Sequence, residues 1–198
     1  MKRRLFLAIA GLLQVMTVST AWGDNHEGTI RWDIVHISSF SPVTAEAGGS
    51  ASARAEDLSK ITLTGTGTFK LGESDEVTGG GTWQTFAPNG TPTGNGTYRV
   101  TGFIKFNVAP GAFLPPPAID RIGNAEDAHS GLAFLRIRYS DGSRGVLAVS
   151  CHLPVGSPNQ IFEGITASKD FVDYWNHEVA VNGVDGNRTV FHTVASED

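Results

Sequence analysis

Apolar and polar side chains alternate with a period of two along segment after segment of this chain. No stretch combines helical periodicity with helical length. In residues 29–38, Ile30, Trp32 and Ile34 alternate with Arg31 and Asp33. In residues 61–71, Ile61, Leu63, Phe69 and Leu71 face a row of Thr62, Thr64, Thr66 and Thr68. In residues 98–108, Tyr98, Val100, Ile104, Phe106 and Val108 share one side, with Arg99, Thr101, Lys105 and Asn107 on the other. β-Branched and aromatic residues at this spacing are the signature of half-buried strands, one face packed and one wet. The chain is therefore expected to be all-β.

The punctuation agrees. With 24 Gly and 9 Pro in 198 residues, turn residues separate the alternating runs at short intervals. The clearest unit is 131–153, where Leu135, Ile137 and Tyr139 alternate with Arg136 and Arg138. Asp141-Gly142 then turns the chain back into Val146–Val149; Asp-Gly predicts a type I′ hairpin. Segments 79–87, 160–168, 171–178 and 188–195 complete eight or nine predicted strands. The Ala- and Ser-rich stretch 45–60 is expected to be a long loop or one short helix, and 118–128 a helical turn. Hairpins in series close most simply into a single antiparallel barrel of about eight strands, because closure removes exposed edges. A β-sandwich is the alternative.

Residues 1–23 read as an export leader. Lys2, Arg3 and Arg4 precede an apolar run over 5–18, and small residues Ala21 and Gly23 mark a cleavage point before Asp24. The run falls short of the ~20 residues that cross a bilayer, so no transmembrane anchor is expected after cleavage. Arg3-Arg4-Leu5-Phe6-Leu7 is also similar to a twin-arginine export signal; general secretion is the simpler route. The expected product is one all-β domain, residues 24–198, in the periplasm or outside the cell. Its net charge, −5 for the whole chain, becomes more negative once the three basic leader residues are removed. That sign opposes nucleic-acid binding.

Gly79-Gly80-Gly81-Thr82-Trp83 and Tyr139-Ser140-Asp141-Gly142-Ser143-Arg144-Gly145-Val146, continuing to Ser150-Cys151-His152-Leu153-Pro154, resemble a group of small exported bacterial proteins of uncharacterised function. That resemblance implies export and an all-β fold and brings no catalytic residue. Gly81-Thr82-Trp83 is also similar to the Gly-x-Trp of lipocalin-type barrels, where the motif lies on the first strand. Here earlier strands precede it.

Familiar catalytic patterns are missing. The sequence has no Gly-x-Ser-x-Gly elbow. Its six histidines show no tight metal-ligand spacing, so no metal or cofactor is expected. A single cysteine excludes a disulfide framework. Cys151 and His152 are adjacent, and neighbours on a strand point to opposite faces. Cys151 is expected inside with Leu147, Val149 and Leu153, and His152 outside. His36 continues the apolar face of Ile30, Trp32 and Ile34, which makes His36 and Trp32 candidate ligand contacts inside a cavity. Tyr174 and Trp175, in the aromatic and polar segment 171–178, are candidates at a ligand mouth. Arg136 and Arg138 share a face and suit either an anion clamp or a solvated surface. These features predict a barrel that binds a small, partly apolar ligand. The alternatives are a cyclase- or isomerase-type enzyme resembling allene-oxide cyclases in using a shaped cavity, or a surface interaction or carbohydrate-binding module. The oligomeric state is not legible.

Overall fold

A computed structural model describes residues 28–194; the expected leader, residues 1–23, lies outside them. Fourteen strands follow in order: β1 (Thr29–Phe40), β2 (Val43–Ala47), β3 (Ala51–Arg54), β4 (Lys60–Leu63), β5 (Thr66–Lys70), β6 (Gly80–Phe86), β7 (Pro92–Ala109), β8 (Ile119–Asp120), β9 (Ala128–Tyr139), β10 (Arg144–Cys151), β11 (Gly164–Lys169), β12 (Val172–Tyr174), β13 (Asn176–His177) and β14 (Arg188–Val194). A 3-10 turn, Ala125–Asp127, lies where a helical turn was expected.

Six of these strands close an antiparallel barrel. Around the ring β1 pairs with β5, β5 with β6, β6 with β7, β7 with β9, β9 with β14, and β14 with β1. The remaining strands extend this ring outward. β10, β11 and β12 continue from β9. β4, β3 and β13 continue from β6. β2 runs along the far half of β1 and pairs in parallel with β8. The predicted barrel is present, with fewer strands in its ring than the eight expected.

Closing so small a ring bends strands sharply, and glycine permits the bend. β6 leaves β4 to meet β5 at Gly80. A Cβ on Gly80 would lie 2.2 Å from the Tyr98 carbonyl oxygen, and one on Gly81 2.0 Å from that of Thr64. Only a residue without a side chain allows the backbones to pass this closely. The Gly79-Gly80-Gly81-Thr82-Trp83 block thus marks the corner of the barrel.

The interior is filled. Trp32, Ile34, Phe69, Leu135 and Phe191 are fully buried. Phe69 stacks on Phe103 with ring centres 4.7 Å apart, and Phe106 leans on Phe191 at 4.8 Å. Aromatic rings in tilted and offset contact occupy the space that a ligand would need.

Two local expectations are corrected. Residues 45–60 hold strands, because small Ala and Ser side chains let β2 and β3 lie close to their neighbours. The 131–153 hairpin is present, but its turn is not type I′. Gly142 alone has positive φ (94°), while Asp141 accepts hydrogen bonds from Ser143 N and Oγ. Tyr139 N–H reaches the Ser143 carbonyl, giving a three-residue loop closed by a left-handed glycine.

Candidate functional site

β1 is buried on both faces over its middle, which simple alternation does not anticipate. Ile30, Trp32 and Ile34 enter the ring, while Val35 and Ile37 point outward and are also buried. What covers Val35 and Ile37 is a cleft of about 560 Å³, walled by Val43 and Ala45 of β2, by Phe113 and Leu114, and by Leu153 and Pro154. Its polar members are Asp120, His152, Glu163, Asn182, Arg188 and Thr189. The volume falls within the range that holds small organic ligands, and an apolar wall with a few convergent polar groups is the usual design.

Glu163 dominates the chemistry of the cleft. β10 ends at Cys151 and β14 begins at Arg188, so the amides of His152 and Thr189 lie at frayed ladder ends. Glu163 Oε2 accepts from His152 N–H and Oε1 from Thr189 N–H, the latter at 2.6 Å. Thr189 Oγ1 donates to the Ser150 carbonyl at 2.6 Å, tying the same two strand ends together. Glu163 is partly buried and lines the cleft. Burial pushes its pKa up to about 8, outweighing the two amides and the Arg188 charge that favour the anion. At neutral pH Glu163 therefore holds a proton.

Asp120 sits in the cleft wall in the opposite state. Burial alone would raise its pKa, but His192 Nε2–H at 2.8 Å and the amides of Ile122 and Gly123 outweigh that and hold it low. Among the described residues, His192 Nδ1 is buried without a partner. One protonated and one ionised carboxyl thus line one cleft, an arrangement that suits acid–base work.

A strap, residues 179–187, forms the rim, contributing Ala180, Asn182 and Gly183 to the lining. Arg188 holds it by donating to the carbonyls of Val181, Val184 and Gly186. Asp185 holds its other side: Oδ1 accepts from Ile37 N–H at 2.7 Å and Oδ2 pairs with His36 Nδ1 at 2.6 Å.

The four residues singled out from the sequence are not brought together. Trp32 lies in the filled interior, its indole N–H without a partner among the described residues. His36 lies outside the ring, half-exposed. β1 exchanges β5 for β2 after Asp33 and loses β14 after Val35, so the next inward position has no ring left to enter. His36 acts on the cleft indirectly, through Asp185 and the strap. Tyr174 is buried on β12 opposite Ala167, and Trp175 is 57% exposed. Cys151 is buried, and burial pushes its thiol pKa up, as expected of an inert thiol. His152 turns the other way and lines the cleft. Glu163, Asp120, Asp185 and Arg188 carry no motif or spacing in the sequence that marks them as neighbours.

Among the described residues, no group of three or more His, Cys, Asp and Glu side chains is placed to hold a metal ion, and no helix is long and apolar enough to cross a membrane. Compared with protein-family models, curated proteins and solved structures, the chain matches none of them.

Proposed function

We propose that this chain is an exported β-barrel protein that binds a small, partly apolar ligand in the lateral cleft, outside the barrel rather than within it. The observation that carries the reading is the cleft itself, about 560 Å³ with an apolar wall and a protonated Glu163 among its polar groups. A carboxylic acid in such a place donates one hydrogen bond to a carbonyl or hydroxyl of a ligand whose remainder lies on Val35, Ile37 and Val43. Export rests on the basic and apolar leader pattern of residues 1–23.

Native mass spectrometry of the protein purified from the periplasm tests this. The expected result is a mass increment from a retained small molecule in the wild type, lost in Val43→Trp, which fills the cleft from a half-buried wall position. A bare wild-type mass, or an increment unchanged in Val43→Trp, would overturn the reading.

A second reading is favoured by the opposite protonation of Glu163 and Asp120. A cyclase- or isomerase-type reaction needs one group to give a proton and another to receive it. In that case Glu163 is the acid and Asp120, with His192 behind it, the base.

A further inference from the structure

A second concavity, about 590 Å³, lies on the outer face of β7, β9 and β10, and four arginines line it: Arg99, Arg136, Arg138 and Arg144. The strand register sets their arrangement. Arg138 is directly opposite Arg99 on one side and Arg144 on the other. Arg136 lies two residues along the same face and rests over Gly102, where an added Cβ would come 3.3 Å from its Nη1. Like charges directly opposite one another destabilise a sheet. Here three stand in a row.

The chain has ample means to neutralise them, with 20 acidic residues against 15 basic. Yet every ion pair among the described residues lies elsewhere. Nearby carboxylates are committed to other partners. Asp170 accepts from the Arg144 backbone amide, and Asp141 from Lys169 and Ser143. None of the four guanidinium groups makes a hydrogen bond to protein among the described residues. Planar five-donor forks left open, convergent and mutually repelling make a site complementary to oxyanions.

We propose that this face binds a compact soluble anion carrying two or three linked phosphoryl groups. Adjacent strands are ~4.8 Å apart, so the arginine row spans roughly 10 Å. A single phosphate cannot engage the whole row, whereas a short chain of phosphoryl groups can. The excess of acidic side chains argues against an extended anionic surface, which would feel repulsion from the rest of the molecule. An anion seated within the concavity lies inside the ~8 Å over which charges act at physiological salt, and there the arginines dominate.

Titration calorimetry of the full chain with sodium tripolyphosphate tests the proposal. Saturable binding of one anion per chain is expected, weakening as salt rises. Arg138→Gln, at the centre of the row, should weaken it roughly tenfold or more. Arg121→Gln should leave it unchanged, because Arg121 pairs with Glu46 elsewhere. Folding of the variant is checked by thermal melting. Relief of repulsion keeps the Tm of Arg138→Gln at or above that of the wild type, and tripolyphosphate raises the wild-type Tm alone. Absence of binding, equal binding by Arg138→Gln, or association only with vesicles of anionic phospholipid would each overturn the proposal. None of the four arginines lines the Glu163 cleft, so the outcome is independent of what that cleft binds.

Discussion

The two sides of β1 have opposite characters. Toward the ring, Ile30, Trp32 and Ile34 are buried in a core that also holds the stacked rings of Phe69 and Phe103. Away from the ring, Val35 and Ile37 form the wall of an open cleft that holds a protonated carboxyl and an ionised one. One strand thus serves a dry core and a binding surface within a few residues. The difference follows from ring size. Even at about eight strands a barrel interior is only wide enough for its own side chains or one small ligand, and a six-stranded ring is narrower still. Ligand-sized space must then be built outside, where β2, the strap and the loop around Phe113 stand away from the ring.

The contrast is broken most forcefully from the inside. Phe69→Ala should cost about 3–5 kcal/mol of stability by urea unfolding, because Phe69 contacts Phe103, Phe106 and Phe191. The folded fraction should keep whatever the cleft retains. A loss under about 1 kcal/mol would mean that the interior has slack.

Glu163 sharpens the contrast from the cleft side. Its ordinary pKa is 4.5 and its folded value about 8. Between those values the folded protein holds a proton that the unfolded chain has released. Stability should therefore fall as pH rises across that interval, by no more than about 1.4 kcal/mol per pH unit, and level off above it. Glu163→Gln should remove this contribution to the slope and cost about 1–3 kcal/mol at the acid end. Its amide NH₂ must face either His152 N–H or Thr189 N–H and leave that donor unpaired. Denaturant melts of both proteins over a pH series decide the matter, and an unchanged slope in the variant would remove Glu163 as its source.

The smallest effect is expected at His36. The His36–Asp185 pair is exposed on both sides, so His36→Phe should change global stability by less than about 1 kcal/mol. Amide hydrogen exchange in residues 179–187 should nonetheless quicken, because Asp185 loses one of its two anchors. Exchange as slow as in the wild type would show that Arg188 and the Ile37 amide hold the strap unaided.

Alternation made the ring strands legible, because it records which side chains avoid water. It carried Ile30, Trp32 and Ile34 to the correct face and Cys151 to the interior. It failed where a strand is covered on both sides or leaves its sheet. Val35 and Ile37 read as the polar face of β1 by parity alone, and His36 read as interior because nothing in the residue pattern marks where the ring ends. The cleft was less legible still. Glu163 is positioned by backbone amides of His152 and Thr189, and an amide has no residue-specific signature. The arginine row was half visible, since Arg136 and Arg138 share a strand, but Arg99 and Arg144 join them only through register.

In the ring, β1 lies beside β14, with Thr29 opposite Val194, so the earliest and latest segments of the described chain are neighbours. No ribosome can release a closed barrel until its last strand has emerged, and long-range pairing of this kind is slow to form. Until then, the aromatic face of β1 has no β14 to cover it and stays vulnerable to aggregation. The same adjacency makes the order of the strands separable from their arrangement. A short linker from 194 to 28, with new termini in the exposed turn at Asn89-Gly90 between β6 and β7, should give a permuted chain that closes the same ring by a different itinerary.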